Sequence, residues 1–137
     1  MARSKLNFIS EAKLKCYGIV STLPAYALMS VINKIFLFNF EAIEDWCVDN
    51  AQDRVVSRFQ RFVALDESEL PLAFCIENKE YNNLLFKKVK DANFIFCFEE
   101  HRDIDLSKIK NTEGVNLIYP IDKKLNEGIE VLWESSF

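Results

Sequence analysis

The chain has 137 residues, a formal net charge of −4, 50% hydrophobic and 13% aromatic residues, and only three Gly and three Pro. That length suits one domain able to bury about two-thirds of its unfolded surface without disulfides or metal, and the composition excludes a disordered or low-complexity chain. The acidic balance excludes a global basic field for nucleic acid or anionic lipid, so any such contact must be local.

The N-terminal MARSKLNF lacks the continuous apolar core of about 7–15 residues that a secretory signal needs. Lys13–Ser21 then alternates, with Leu14, Cys16 and Val20 on one side and Lys13, Lys15, Tyr17 and Ile19 on the other. Period two predicts a strand. Ser21 or Thr22 can cap a helix start, and Pro24 suits a first turn because its missing N–H has no partner there. A helix is expected over Ala25–Phe38, where Leu28, Ile32 and Ile35 recur at helical spacing beside Val31 and Phe38, and only Ser30, Asn33 and Lys34 oppose them. A helix this apolar is expected at the centre of the core, covered over most of its circumference. It lacks the strongly charged face of a helix lying on a membrane. The run Val31–Phe38, broken by Asn33 and Lys34, also falls far short of the about 20 residues of a membrane span.

Four strands are expected next, over Glu41–Val48, Val55–Leu65, Leu72–Glu77 and Asn93–Glu99. In the second, Val55, Phe59, Val63 and Leu65 oppose Val56, Arg58, Gln60 and Phe62. The fourth, NFIFCFE, is apolar on both faces and reads as an internal strand. A short helix fits Asp105–Asn111, with Gly114 as its stop. Val115–Ile121 and Gly128–Trp133 read as final extended segments. The expected fold is a single α+β domain over residues 1–137, a mainly antiparallel sheet packed on one long apolar helix and a second short helix.

Chemistry is sparse. Cys16, Cys47, Cys75 and Cys97 are 31, 28 and 22 positions apart, without the CxxC spacing of zinc or redox sites. Buried free thiols are the expectation, and they point to the reducing cytoplasm. His101, the sole histidine, lies among Glu99, Glu100, Arg102 and Asp103. A His among carboxylates can shuttle protons or bind a metal, but a lone His offers little for a transition-metal site and a solvated turn after a buried strand accounts for this segment more simply. The acidic groups Glu41, Glu44, Asp45 and Asp66, Glu67, Glu69 lack the spacing of a calcium loop. No Gly-rich loop offers a phosphate cradle, so neither a cofactor nor nucleotide-driven chemistry is expected.

Two features suggest binding. Arg54, Arg58 and Arg61 accompany Phe59 and Phe62, and Lys87, Lys88 and Lys90 cluster before a later strand. If those strands are neighbours, they can form a phosphate-binding patch with an aromatic platform for RNA. Alternation puts Arg58 with Phe62 on one face and Phe59 with Arg61 on the other, so no patch can use all of them. In the C-terminal GIEVLWESSF, Ile129, Val131 and Trp133 alternate with Glu130, Leu132 and Glu134, and Phe137 ends the chain. These apolar residues suit docking, either onto the protein's own sheet or onto a partner. An exposed edge strand could also pair with a second copy.

The stretch Tyr17–Lys34, YGIVSTLPAYALMSVINK, carries Gly18, Ile19, Ser21, Tyr26, Leu28, Ile32, Asn33 and Lys34. In these residues it resembles the start of the IPExxxVDY family, small proteins of Bacteroidetes. Asn78–Lys79, then Leu84–Leu85 and a lysine-rich turn into Phe94, and later Ile121-Asp122 with Leu125, follow in the family's order. At the naming motif only Leu85 keeps the leading aliphatic; Phe86, Lys87, Asp91, Ala92 and Asn93 stand at the Pro, Glu, Val, Asp and Tyr positions. The resemblance implies a fold and a cytosolic bacterial setting and carries no activity. The function expected is a non-enzymatic, cytoplasmic interaction or adaptor protein with a protein partner or second copy and no membrane insertion. An RNA- or ribosome-associated factor is the alternative.

Overall fold

A computed structural model describes residues 13–50, 55–122 and 126–137. Arg54, the N-terminal MARSKLNF and Leu125 lie outside the described residues. The chain runs β1 (Leu14–Ser21), α1 (Ala25–Phe36), β2 (Glu41–Asn50), β3 (Val55–Leu65), β4 (Pro71–Glu77), a small hairpin of β5 (Lys79–Glu80) and β6 (Asn83–Leu84), β7 (Phe94–Glu99), α2 (Ser107–Lys110), β8 (Val115–Pro120) and α3 (Asn126–Ser136). A single 3-10 turn, Lys87–Val89, precedes β7. Six strands form one sheet in the order β2-β3-β4-β7-β1-β8. Every pairing in it is antiparallel. The α+β class with an antiparallel sheet is the one expected.

The hydrophobic pattern decides which strand sits inside. All of Phe94–Phe98 is buried, and this run occupies β7 between β4 and β1. Its alternate residues feed two separate cores. Phe94, Phe96 and Phe98 join Ile19, Phe62, Ala73 and Cys75 beneath Leu28, Met29 and Ile32 of α1 and Ile109 of α2. On the other face Ile95 and Cys97 join Cys16, Phe59, Phe74 and Ile76 beneath Ile129, Leu132 and Trp133 of α3. The sheet is thus covered on both sides, which is why its central strands are apolar at consecutive positions. Gly18 belongs to the same packing. A Cβ there would come within 2.8 Å of the Tyr119 ring and 3.1 Å of the Ala92 Cβ, so β1 carries a glycine where its neighbour crosses.

Three expectations change, the first at Cys47, which lies on the edge strand β2 and is exposed where a buried thiol was expected. The helix expected at the centre of the core is α1, which is 12 residues long and ends at Phe36. Ala25, Leu28, Met29 and Ile32 form its buried stripe, while Tyr26, Ser30 and Lys34 are exposed. It lies on one face of the sheet, because β7, apolar on both sides, takes the centre. The C-terminal segment Gly128–Trp133, expected to be extended, lies within α3. Ile129, Leu132 and Trp133 are spaced i, i+3, i+4 and all three are buried, whereas Val131 is 56% exposed. The alternation of Ile129, Val131 and Trp133 coexists with a helical period, and burial of one helix face selects the second. Among the described residues, no helix is long and apolar enough to cross a membrane.

Candidate functional site

The arginines and the lysines do not converge on one patch. Arg58 is exposed on the α1 face of β3. Its backbone N–H donates to the Glu80 carboxylate and its guanidinium to Cys47 Sγ at 3.8 Å. Asp45, Glu77 and Glu80 line the same shallow depression. Glu77 and Glu80 project there because β4 ends at Glu77 and the chain turns into β5. Their carboxylates accept the Gln60 and Arg58 N–H groups of β3. Partial burial pushes the Glu77 carboxyl up; the Gln60 N–H opposes this, and the charges of Asp45 and Glu80 add to it.

Arg61 lies on the opposite face and is buried. Its Nε donates to the Glu44 carbonyl at 2.7 Å, and its Nη1 to Ser135 Oγ at 3.2 Å and Ser136 Oγ at 3.1 Å. The guanidinium stands 5.3 Å from the centroid of the Trp46 ring. It ties the last turn of α3 to the irregular stretch of β2 between Ile43 and Trp46. Lys87, Lys88 and Lys90 are exposed on and just after the 3-10 turn.

Of the C-terminal candidates, Ile129 and Trp133 pack into the core beneath α3, whereas Val131 and Phe137 are exposed. The Phe137 ring leans on Trp133 with centroids 4.6 Å apart. His101 is exposed on the turn after β7. Its neighbour Arg102 pairs with Asp66 at 2.8 Å and donates to the Pro71 carbonyl at 2.9 Å.

Two concavities stand out. The first, of about 740 Å³, runs between α1 and the β2–β3 corner, with Met29, Phe40, Ala42 and Phe62 within it and Tyr26 and Leu37 along it. Tyr26 is 77% and Leu37 91% exposed. Leu37 ends α1 in the left-handed region, at φ 56 and ψ 36, a position where helices normally place Gly or Asn. Asn33 builds this corner. Its carbonyl accepts the Leu37 and Phe38 N–H groups, the latter at 3.1 Å, and its Oδ1 accepts the Phe40 N–H at 2.8 Å. Sequence reasoning placed Asn33 at the solvent edge of the helix and missed that role. The available signal was a leucine following the helix where a C-cap glycine was due.

The second concavity, of about 500 Å³, is bounded by β2, β3, the β5–β6 hairpin and the lysine turn. Its walls hang on Asn78, which is fully buried. The Asn78 Nδ2 donates to the carbonyls of Val89 and Ala92, both at 3.0 Å, and to that of Phe86 at 3.4 Å. Its Oδ1 accepts the Phe86 N–H at 2.7 Å. The Asn78 backbone adds bonds to Asn93 at 2.8 Å and from Leu85 at 2.9 Å. One side chain thereby shapes the segment 78–93, which has little regular structure of its own.

Compared with known proteins, the chain matches no protein-family model and no curated protein.

Proposed function

We propose that this chain is a non-enzymatic adaptor that works by docking a protein partner into the groove beside α1. The observation that carries this reading is Leu37, displayed at 91% exposure in a left-handed conformation. A bulky L-residue there costs about 1–2 kcal/mol. A cost borne by an exposed side chain that stabilises nothing around it is a reason to look for function at that position. Leu37 and Tyr26 flank apolar walls made by Met29, Phe40 and Phe62, a shape suited to aliphatic or aromatic anchors. Lys34 lines the same groove and has no ion pair among the described residues. The partner expected is therefore an apolar segment carrying an acidic residue opposite Lys34.

The free thiols support a cytoplasmic setting. Cys16 and Cys97 are opposed across the β1–β7 pair, and both are free and buried. Adjacent unpaired thiols suit reducing surroundings. The resemblance to the IPExxxVDY family belongs to the same reading and adds a bacterial setting. The RNA alternative draws less support, since Arg61 is engaged inside the fold and Arg58 sits among Asp45, Glu77 and Glu80.

The test is comparative affinity purification from the native host with the wild-type chain and a Tyr26→Ala/Leu37→Gly variant. Glycine relieves the left-handed strain, so the variant is expected to melt within a few degrees of wild type. It should lose a partner that wild type retains. Identical partner sets for two folded proteins would refute the groove as the docking surface, and nuclease-sensitive capture would favour RNA.

A further inference from the structure

We propose that the concavity between β2–β3 and the β5–β6 hairpin binds a small organic monophosphate with an apolar or aromatic body. Its volume of about 500 Å³ lies within the usual range for small-ligand sites. Val48 and Leu84 supply the accessible apolar part of its lining. Phe59 is 1% exposed, so its ring is fixed by the core.

The polar groups around that interior are suited to a phosphate ester. Lys87 and Lys90 both line the cavity. They are three residues apart on a 3-10 turn continued by Lys90 in a helical conformation. Three residues per turn brings positions i and i+3 to the same side, whereas Lys88 does not line the cavity. Two ammonium groups act as point charges that accommodate a tetrahedral phosphate. Ser57, buried at 4% exposure, and the amides of Asn82 and Asn83 add hydrogen-bonding groups.

Asp49 on the wall restricts the choice further. Among the described lining residues, two cations stand against one carboxylate, a charge near +1 that suits one phosphate better than a polyphosphate or a nucleic-acid backbone. The site requires no glycine loop, because the Asn78 hydrogen bonds hold the walls. It is separate from the α1 groove and does not depend on the docking reading.

Phenyl phosphate titrated into ¹⁵N-labelled protein, followed by amide chemical shifts, tests the proposal. Saturable shifts are expected around Ser57, Phe59, Asn83 and Lys87. Phenol and inorganic phosphate should each bind at least about tenfold more weakly, since each lacks half of the match. Lys87→Gln/Lys90→Gln should weaken phenyl phosphate by at least about tenfold. Both lysines are exposed, so the circular dichroism spectrum and Tm should stay unchanged. The proposal is overturned by absent or non-saturable shifts, or by a double variant that binds as wild type. It is equally overturned if inorganic phosphate equals phenyl phosphate, or if oligouridylate binds the same residues more tightly.

Discussion

Removing the Asn78 side chain should be among the most damaging single changes in this protein. Asn78→Ala deletes the donors to Val89 and Ala92 at 3.0 Å, the longer contact to Phe86 at 3.4 Å, and the acceptor of the Phe86 N–H at 2.7 Å. Each buried polar group left without a partner costs about 1–3 kcal/mol. Phe86 and Val89 are only half-buried, and water reaching them would offset part of that loss, which leaves about 3–5 kcal/mol. A domain of this size has about 5–15 kcal/mol in total. With a urea m-value of about 1.5–2 kcal/mol/M, the midpoint should fall by roughly 1.5–3 M.

Asn78→Asp separates hydrogen bonding from volume. It keeps the shape but sets a carboxylate oxygen against two carbonyls where the amide donated. Burial and that repulsion raise the folded-state pKa above the unfolded value of about 3.9. The neutral acid can still donate to one carbonyl. A raised folded pKa contributes stability that is full below the unfolded pKa and lost as pH rises through the folded one. The deficit against wild type should therefore be largest near neutral pH and shrink on acidification. Equilibrium urea unfolding at several pH values measures it. If the aspartate variant stays within about 0.5 kcal/mol of wild type at neutral pH, or its deficit grows in acid, the reasoning is wrong.

Two further outcomes test the fold. Because α3 is a helix, Leu132→Ala should cost about 2–5 kcal/mol and Val131→Ala under about 0.5 kcal/mol in urea unfolding; an extended segment would reverse that order. Asp66 is held below the usual carboxylate range first by the Arg102 hydrogen bond and then by the Leu70 N–H; burial opposes this, and the Ser68 N–H and the Arg102 charge add smaller lowering effects. A depressed folded pKa contributes stability above the unfolded pKa that is lost as pH falls through the folded one. The Tm gap between wild type and Asp66→Asn should thus be open at neutral pH and close in acid, and a gap constant across pH would contradict the assignment.

How much was legible in the chain depended on how local the signal was. The strand at Leu14–Ser21 and the internal strand at Phe94–Glu99 were readable because alternation and two-sided apolarity are written into consecutive residues. The same alternation assigned Arg58 and Arg61 to opposite faces of β3. The β5–β6 hairpin was not legible. Its two-residue strands are too short to show a period, and Tyr81 takes the left-handed turn position usually held by Gly, Asn or Asp. Asn78 gave no signal either, since its partners lie 8 to 14 residues downstream.

By itself, then, the sequence determined an α+β chain with an antiparallel sheet, because periodicity and β-branched or aromatic runs report which faces need burial. The tertiary structure decided which of two coexisting periods the C-terminus obeys, since only the sheet beneath α3 could reward Ile129, Leu132 and Trp133 together. It also decided that α1 lies on a face, that Arg61 turns inward to Glu44 and α3, and that Leu37 stands at the lip of a groove. Both concavities exist only because distant segments meet: residues 26–42 with Phe62 in one, and strands β2 and β3 with the Asn78-anchored segment in the other. Such meetings are set by competition for buried surface across the whole chain, which no local window records.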